Sequence, residues 1–255
     1  MKKYFNIILT IILFIFSFYY TNIVSNYIKE KDPIMTKIKN NKNKFETKPI
    51  DAIIKDNTII PGKSGKSINI NESYKKMKRI NKYIESLYVF KYQKPKISLN
   101  KQYDKLIING NLNTKNISII LKVNNLDILK KLKDDKSLNF ILEINFIENN
   151  LEYLTTISNN IIVLETNNII NLDIIDYCYS NITFNKYCSN YNKYTIKPNF
   201  ITSNYYYNTY KLINNGSILA YNIVNENNIK EIKTIISYIK TLNYNIVSID
   251  ELIKE

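Results

Sequence analysis

The sequence predicts an α/β protein with parallel strands in its main domain, preceded by a membrane-spanning helix and a small α+β segment. Three observations carry that expectation. From about Asp104 onward, short apolar runs alternate five or so times with stretches of helical periodicity, the pattern of β-α repeats joined by right-handed crossovers. The run "ISIILKV" (117–123) is almost wholly apolar, as a strand buried on both faces requires. The run "FNIILTIILFIFSFYYTNIV" (5–24) carries no charge, and about 20 such residues cross a bilayer as a helix.

At the amino terminus, Lys2 and Lys3 precede the apolar run, and the pair Tyr19-Tyr20 suits a membrane interface. The following "NIVSN" lacks the small residues of a cleavage site, and no cysteine follows for lipid attachment. Residues 1–24 therefore read as an uncleaved signal-anchor, single-pass in the cell membrane, with the bulk of the chain extracytoplasmic. Lysines flank both sides (Lys2, Lys3; Lys29, Lys31, Lys37), so the positive-inside rule does not fix the orientation. Residues 25–48 are rich in lysine and asparagine with little apolar pattern and read as a stalk linker. Residues 49–103 read as a small membrane-proximal α+β segment. In it "DAIIKD" and "TIIPG" are extended, while Tyr74, Met77, Ile80, Ile84 and Leu87 recur at helical spacing with Asn71 or Ser73 as cap.

Residues 104–255 form the main domain. "KLIING" predicts a strand, with Asn109-Gly110 as a hairpin turn. After "ISIILKV" come a helix ("LDILKKLKDD"), a strand ("LNFILEI"), a helix ("FIENNLEYLTTIS"), a strand ("IIVLE") and a helix ("IINLDIIDYCYS"). "YTIKPNFI" is a strand with a late proline, and "NTYKLINNG" a helix ended by Gly216. "SILAY" is a strand, the next helix carries Ile229, Ile232, Ile236 and Ile239 on one stripe, and "YNIVSI" is the last strand. The sheet is open or closed into a barrel; the sequence leans toward closure.

Composition excludes several functions. The chain has no histidine, which removes Ser-His-Asp and Cys-His catalysis and any zinc site that needs imidazole. "IIPGKSGKSINI" repeats GKS, yet the residues five before Gly62 and Gly65 are Asn57 and Ile60, not glycine. It is a loop rather than a phosphate-binding motif. The formal charge is +14, from 36 Lys+Arg against 22 Asp+Glu, with Arg79 the sole arginine. The wealth of Asn, Ile, Lys and Tyr suggests AT-rich codon usage, and the lysines read as spread along the chain. No nucleic-acid partner is therefore expected; an extracytoplasmic positive surface meets anionic lipid or cell-wall polymer. Cys178 and Cys188, the only cysteines, either close a disulfide in an oxidising compartment or serve as two small hydrophobes.

In parallel α/β folds, sites lie beyond the carboxyl ends of the strands. Asn124 and Asn125 follow one strand there, Glu165, Asn167 and Asn168 another, and Asn222 a third. Amides do not titrate and ligate metals weakly, and Asn also favours such positions as a cap or turn former. Asp134-Asp135 reads as a solvated helix end.

The chain from about residue 117 to 255 resembles the polysaccharide deacetylase (NodB-like) family, whose fold is a distorted, incomplete (β/α) barrel. "NGSILAYNIVNENNIKEIKTIISYIKTLNYNIVSIDELI" is similar to the family's closing strand, helix and final Val-Thr-x-x-Glu-Leu stretch. "ISIILKVNN" resembles its "ALTFDD" strand, and "LNFILEINFIENNLEYLTTI" its "ATFFV" strand and helix. "IIPGKSGKSINI" and the helix after it resemble the membrane-proximal region of a divergent bacterial subgroup. The resemblance places the family's catalytic and metal-binding aspartates on Asn124 and Asn125, its two metal-binding histidines on Glu165 and Ile169, and its closing catalytic histidine on Asn222. It thus implies a family scaffold without catalytic or metal-binding residues and without a cofactor. The expected role is a pseudoenzyme on cell-wall glycan or peptidoglycan, touching sugars through Tyr177, Tyr179 and the run beginning at Tyr205. Two alternatives stand beside it. One is a metal-dependent carbohydrate N-deacetylase using replacement ligands, such as a divalent cation held by Glu165, Asp173 and Asp176; the other is a cell-surface scaffolding protein.

Overall fold

A computed structural model of the chain describes residues 2–164 and 173–255. It divides into two compact units, Met1–Pro49 with Gly65–Gln93, and Ile50–Ser64 with Lys94–Glu255. In chain order the elements are α1 (Lys2–Lys31), α2 (Pro33–Asn41), β1 (Ile53–Lys55), β2 (Thr58–Ile60), β3 (Gly65–Ile68), α3 (Ile70–Arg79), β4 (Phe90–Gln93), β5 (Leu106–Ile107), β6 (Asn116–Val123) and α4 (Leu126–Leu132). There follow β7 (Leu138–Leu142), α5 (Ile144–Asn149), α6 (Leu151–Leu154), β8 (Ile161–Val163), β9 (Tyr177–Tyr179), α7 (Lys186–Asn190), β10 (Tyr194–Ile196) and β11 (Asn199–Ile201). The chain closes with α8 (Tyr205–Leu212), β12 (Ile218–Ile223), α9 (Glu226–Thr241), β13 (Asn245–Ile246) and α10 (Ile249–Leu252).

The first unit holds α1, α2, α3 and the antiparallel pair β3–β4. Residues 25–48, read as a stalk linker, are largely helical. α1 runs on to Lys31, and Asp32 then caps α2 by accepting from the Ile34 N–H at 2.8 Å, with Pro33 at the first helical position, where its missing N–H costs nothing. Ile34, Met35 and Ile38 supply the buried stripe that lysines and asparagines obscure in the sequence, and Ile34 and Ile38 pack with Ile68, Met77 and Tyr88. α3 is shorter than its periodicity predicts. It ends at Arg79, because Asn81 turns left-handed at φ 49°, and Asn69 rather than Asn71 or Ser73 caps it.

In the second unit the strand order is β1-β2-β5-β10-β9-β8-β7-β6-β12-β11, with β13 paired to β6. β1 and β2 are antiparallel; every other pairing in this sheet is parallel. β1 and β11 end the order unpaired to each other, so the curled sheet is an incomplete barrel. The expected boundary near residue 104 gives way for the same reason. β2 pairs with β5, which draws residues 50–64 into the main unit.

Alternation along β6 assigns the two faces. Ile117, Ile119, Leu121 and Val123 join a core that α4, α8 and α9 cover, including Ile229, Ile232, Ile235 and Ile239 of α9. Ile120 points the other way, into a second core with Ile141, Ile162, Tyr177, Tyr179, Ala220 and Ile249. A buried amide joins sheet to α10. Asn139 donates through Nδ2 to Ser118 Oγ and the Ile119 carbonyl, both at 2.9 Å, and accepts at Oδ1 from Asn160 Nδ2 and the Ile249 N–H, both at 3.0 Å.

Two expected elements differ. Asn109-Gly110 makes no hairpin: the Gly110 N–H donates to the Gly216 carbonyl at 2.7 Å, and β5 lies between β2 and β10. Gly216 sits at φ 80°, and a side chain there would meet Gly110 O at 2.5 Å, so glycine is required on both counts. The expected helix through "IINLDIIDYCYS" lies outside the described residues up to Leu172, but its end is β9, a strand buried on all three residues. The GKS loop presents no open amide nest at Gly62, whose N–H donates to Glu255 Oε1 at 2.7 Å.

Candidate functional site

At the carboxyl ends of β6 and β12 the register pairs Asn222 with Lys122. Both lie on the Ile120 and Ala220 side of the sheet, opposite the helical layer, because Leu121 and Tyr221 face the helix-covered core. The next strand over, β7, ends at Leu142, and Glu143 follows it. Lys122 Nζ reaches Glu143 Oε1 at 3.0 Å, with 26% and 49% of the two side chains exposed. At that exposure the pair adds ~0–1 kcal/mol to stability. Its consequence is local: a fixed cation and anion stand beside Asn222 at the rim of the half-barrel.

The amides are spoken for differently. Asn125 is the N-cap of α4, its Oδ1 accepting from the N–H groups of Asp127 at 2.8 Å and Ile128 at 3.3 Å. Asn124 is exposed beside it. The Asn222 side chain is exposed, while its carbonyl accepts from the Tyr205 hydroxyl at 2.5 Å. Glu165 and Ile169 lie outside the described residues. The arrangement brings together Asn124, Asn125 and Asn222 with Lys122 and Glu143, the two that sequence reading missed. Their signal was present: Lys122 is the one charge in "ISIILKV", on the same face of the strand as Ile120.

A metal held as in the family that the sequence resembles does not fit the donor set of the described rim residues. No imidazole exists in the chain, Asn125 spends its oxygen on the α4 backbone, and Asn222 offers only a neutral amide. Among the described residues no group of three or more His, Cys, Asp or Glu side chains could hold a metal ion. The amides provide no general base for activating water, and the one carboxylate among the described rim residues, Glu143, is ion-paired with Lys122.

The tyrosines expected at the glycan face need correction. Tyr177, Tyr179 and Tyr205 are 6%, 6% and 7% exposed. Tyr177 donates its hydroxyl to Asp250, and Tyr179 to Asn181. These rings are core because β9 is paired on both edges and α8 folds Tyr205 back against Tyr221, 5.4 Å between centroids. Tyr206, Tyr207 and Tyr210 of α8 are the exposed ones, at 51%, 58% and 64%. Tyr206 leans on Tyr238 at 4.8 Å between centroids, and Lys211 lies 4.3 Å above the Tyr207 ring. Cys178 and Cys188 form a disulfide with 6.4 Å between Cα atoms.

The geometry can be set beside known proteins. Wild-type BA3943 of Bacillus anthracis, a carbohydrate esterase family 4 (CE4) pseudoenzyme, superposes with a TM-score of 0.64 over 88% of this chain and 96% of its own, at 18% identity. The fold is the CE4 fold. A mutant of BA3943 with restored enzymatic activity superposes equally well, with a TM-score of 0.64, 18% identity and coverage of 88% of this chain and 99% of its own. The CE4 or NodB-like polysaccharide deacetylase fold accounts for the curled parallel sheet, its open edge and the position of the rim residues. In sequence, the uncharacterized protein YlxY of Bacillus subtilis (strain 168) is 31% identical over 129 residues. That match spans 48% of this chain and 40% of YlxY's own length. No family model matches the chain.

Proposed function

We propose that this chain is a membrane-anchored, extracytoplasmic protein of CE4 fold that binds cell-wall glycan without hydrolysing it. The observation that carries the reading is the rim itself. Asn222 and the Lys122–Glu143 pair stand at the carboxyl edge of the sheet, and Asn125 is committed to capping α4. Such a rim offers hydrogen-bond donors and acceptors to hydroxyl and acetamido groups, while its one described carboxylate, Glu143, is held by Lys122 and has no imidazole beside it to help activate water. Exposed Tyr206, Tyr207 and Tyr210 add aromatic faces on the helix that begins beside Asn222. The uncharged run 5–24 at the head of α1 supports the anchor.

The test is acetate release from N-acetylated glycan oligomers by the full chain in detergent, with Zn²⁺, Co²⁺, Mn²⁺ or Ca²⁺ supplied in turn. Release is expected to stay at the level of the buffer, while insoluble N-acetylated glycan retains the protein and the double variant Tyr206→Ala with Tyr207→Ala is retained less. Metal-dependent release would overturn the reading and point to Glu165 and nearby acidic residues as replacement ligands. Absence of glycan retention would instead leave the scaffolding alternative.

A further inference from the structure

The charge of the chain is unevenly divided. The first unit holds sixteen of the 36 Lys and Arg but five of the 22 Asp and Glu, a net +11 of the chain's +14 in fewer than a third of its residues. The even spread of lysines read from the sequence does not survive this division.

Within this unit a groove of 550 Å³ runs between the last turns of α1 and the first turns of α3, walled by Tyr20, Val24, Ile28 and Tyr74 and closed by Lys29. It straddles the end of the uncharged run 5–24, so its two ends differ in kind, apolar toward Tyr20 and Val24 and cationic at Lys29. Lys39, Lys75 and Lys78 are neutralised by Glu30, Glu72 and Asp32. Lys29 instead rests on neutral groups, 2.7 Å from Asn71 Oδ1 and 5.6 Å from the centre of the Tyr74 ring. Its charge is held in place and left for a ligand.

We propose that this groove binds an anionic phospholipid, one acyl chain lying along Tyr20, Val24 and Ile28 and the headgroup phosphate meeting Lys29. The proposal rests on reading α1 as the membrane span, which sets the groove at headgroup depth, where Tyr and Lys concentrate. A basic segment beside a span gains from anionic lipid. The apolar wall favours lipid over a soluble polyanion or nucleic acid, neither of which has a part to place there.

Native mass spectrometry of the full chain in non-ionic detergent tests this, with phosphatidylglycerol and phosphatidylcholine of matched acyl chains titrated in turn. The phosphatidylglycerol adduct is expected at roughly ten-fold lower lipid concentration, and Lys29→Gln to weaken it about five-fold, the effect of one lysine at an anionic surface. Glycerol phosphate at equal concentration is expected not to displace the lipid. Equal retention of both lipids, or unchanged retention by Lys29→Gln, would overturn the proposal, and displacement by glycerol phosphate would reassign the site to a soluble anion. Resistance to carbonate extraction tests the anchor separately. A chain that stays in the membrane yet shows no lipid preference refutes this inference alone, whereas an extracted chain refutes the anchor beneath it.

Discussion

Asp176 illustrates how a single carboxylate can be both useful and costly. Its Oδ2 accepts from the Ile161 N–H at 2.8 Å and so ties the approach to β9 onto the start of β8. Burial pushes its carboxyl above the ordinary value of 3.8; the Ile161 bond pulls it back, and the charge of Asp250 adds to the rise. Because the folded value is the higher one, the native state takes up this proton first as pH falls. The stabilisation from Asp176 is thus fully present below 3.8 and is lost as pH rises through the raised folded value. Asp176→Asn keeps an acceptor for Ile161 and removes the titration. Its stability relative to wild type is expected to be higher at pH 7 than at pH 4, read from urea midpoints in detergent at both pH values. An unchanged difference would mean that Asp176 titrates normally. Asn222 and Asn125 carry another lesson at this scale, since an amide offers both a donor and an acceptor yet cannot exchange a proton near neutral pH.

Among elements, β9 and α7 depend on each other through the disulfide. Cys178 is the central residue of β9 and Cys188 lies in α7, ten positions on. α7 has only five residues and is capped by Asn185, whose Oδ1 accepts from the Cys188 N–H at 3.1 Å; so short a helix is marginal without tertiary help. Closing a loop of this size restricts the unfolded chain by about 3 kcal/mol on the chain-entropy model. Cys178→Ala with Cys188→Ala is expected to lower unfolding stability by that order, and dithiothreitol to lower wild type by as much without affecting the variant. β9 reads as helix in the sequence because "IINLDIIDYCYS" has apolar residues at both periods. Tyr177, Cys178 and Tyr179 become strand because β8 and β10 pair on either side, and pairing outweighs local preference. α9 was legible because its apolar residues repeat at one helical period, and β6 and β12 because each is a short, near-continuous apolar run of strand length. The true role of Asn109-Gly110 was not, since a glycine needed for close backbone approach looks the same in sequence as one needed for a turn.

For the whole molecule, α1, long and apolar enough to cross a membrane, and the CE4 fold bear jointly on what the protein can meet. On the proposed reading of α1 as a single span, protease added to intact cells is expected to remove the second unit while an amino-terminal tag on the inner side stays protected. Survival of the carboxyl terminus until the cells are lysed would place the half-barrel inside and away from any wall glycan. By itself the sequence determined the uncharged run able to span a membrane, the parallel α/β class and the loss of imidazole chemistry, because these depend on residue type and local period. It also named Asn124, Asn125 and Asn222 as rim residues, since strand ends follow from apolar runs. Only the tertiary structure decided that Lys122 and Glu143 pair beside them, that Tyr177, Tyr179 and Tyr205 are core, and that the positive charge gathers in one unit. Pairing across strands, burial and surface charge depend on which distant residues become neighbours, and no single stretch of chain carries that information.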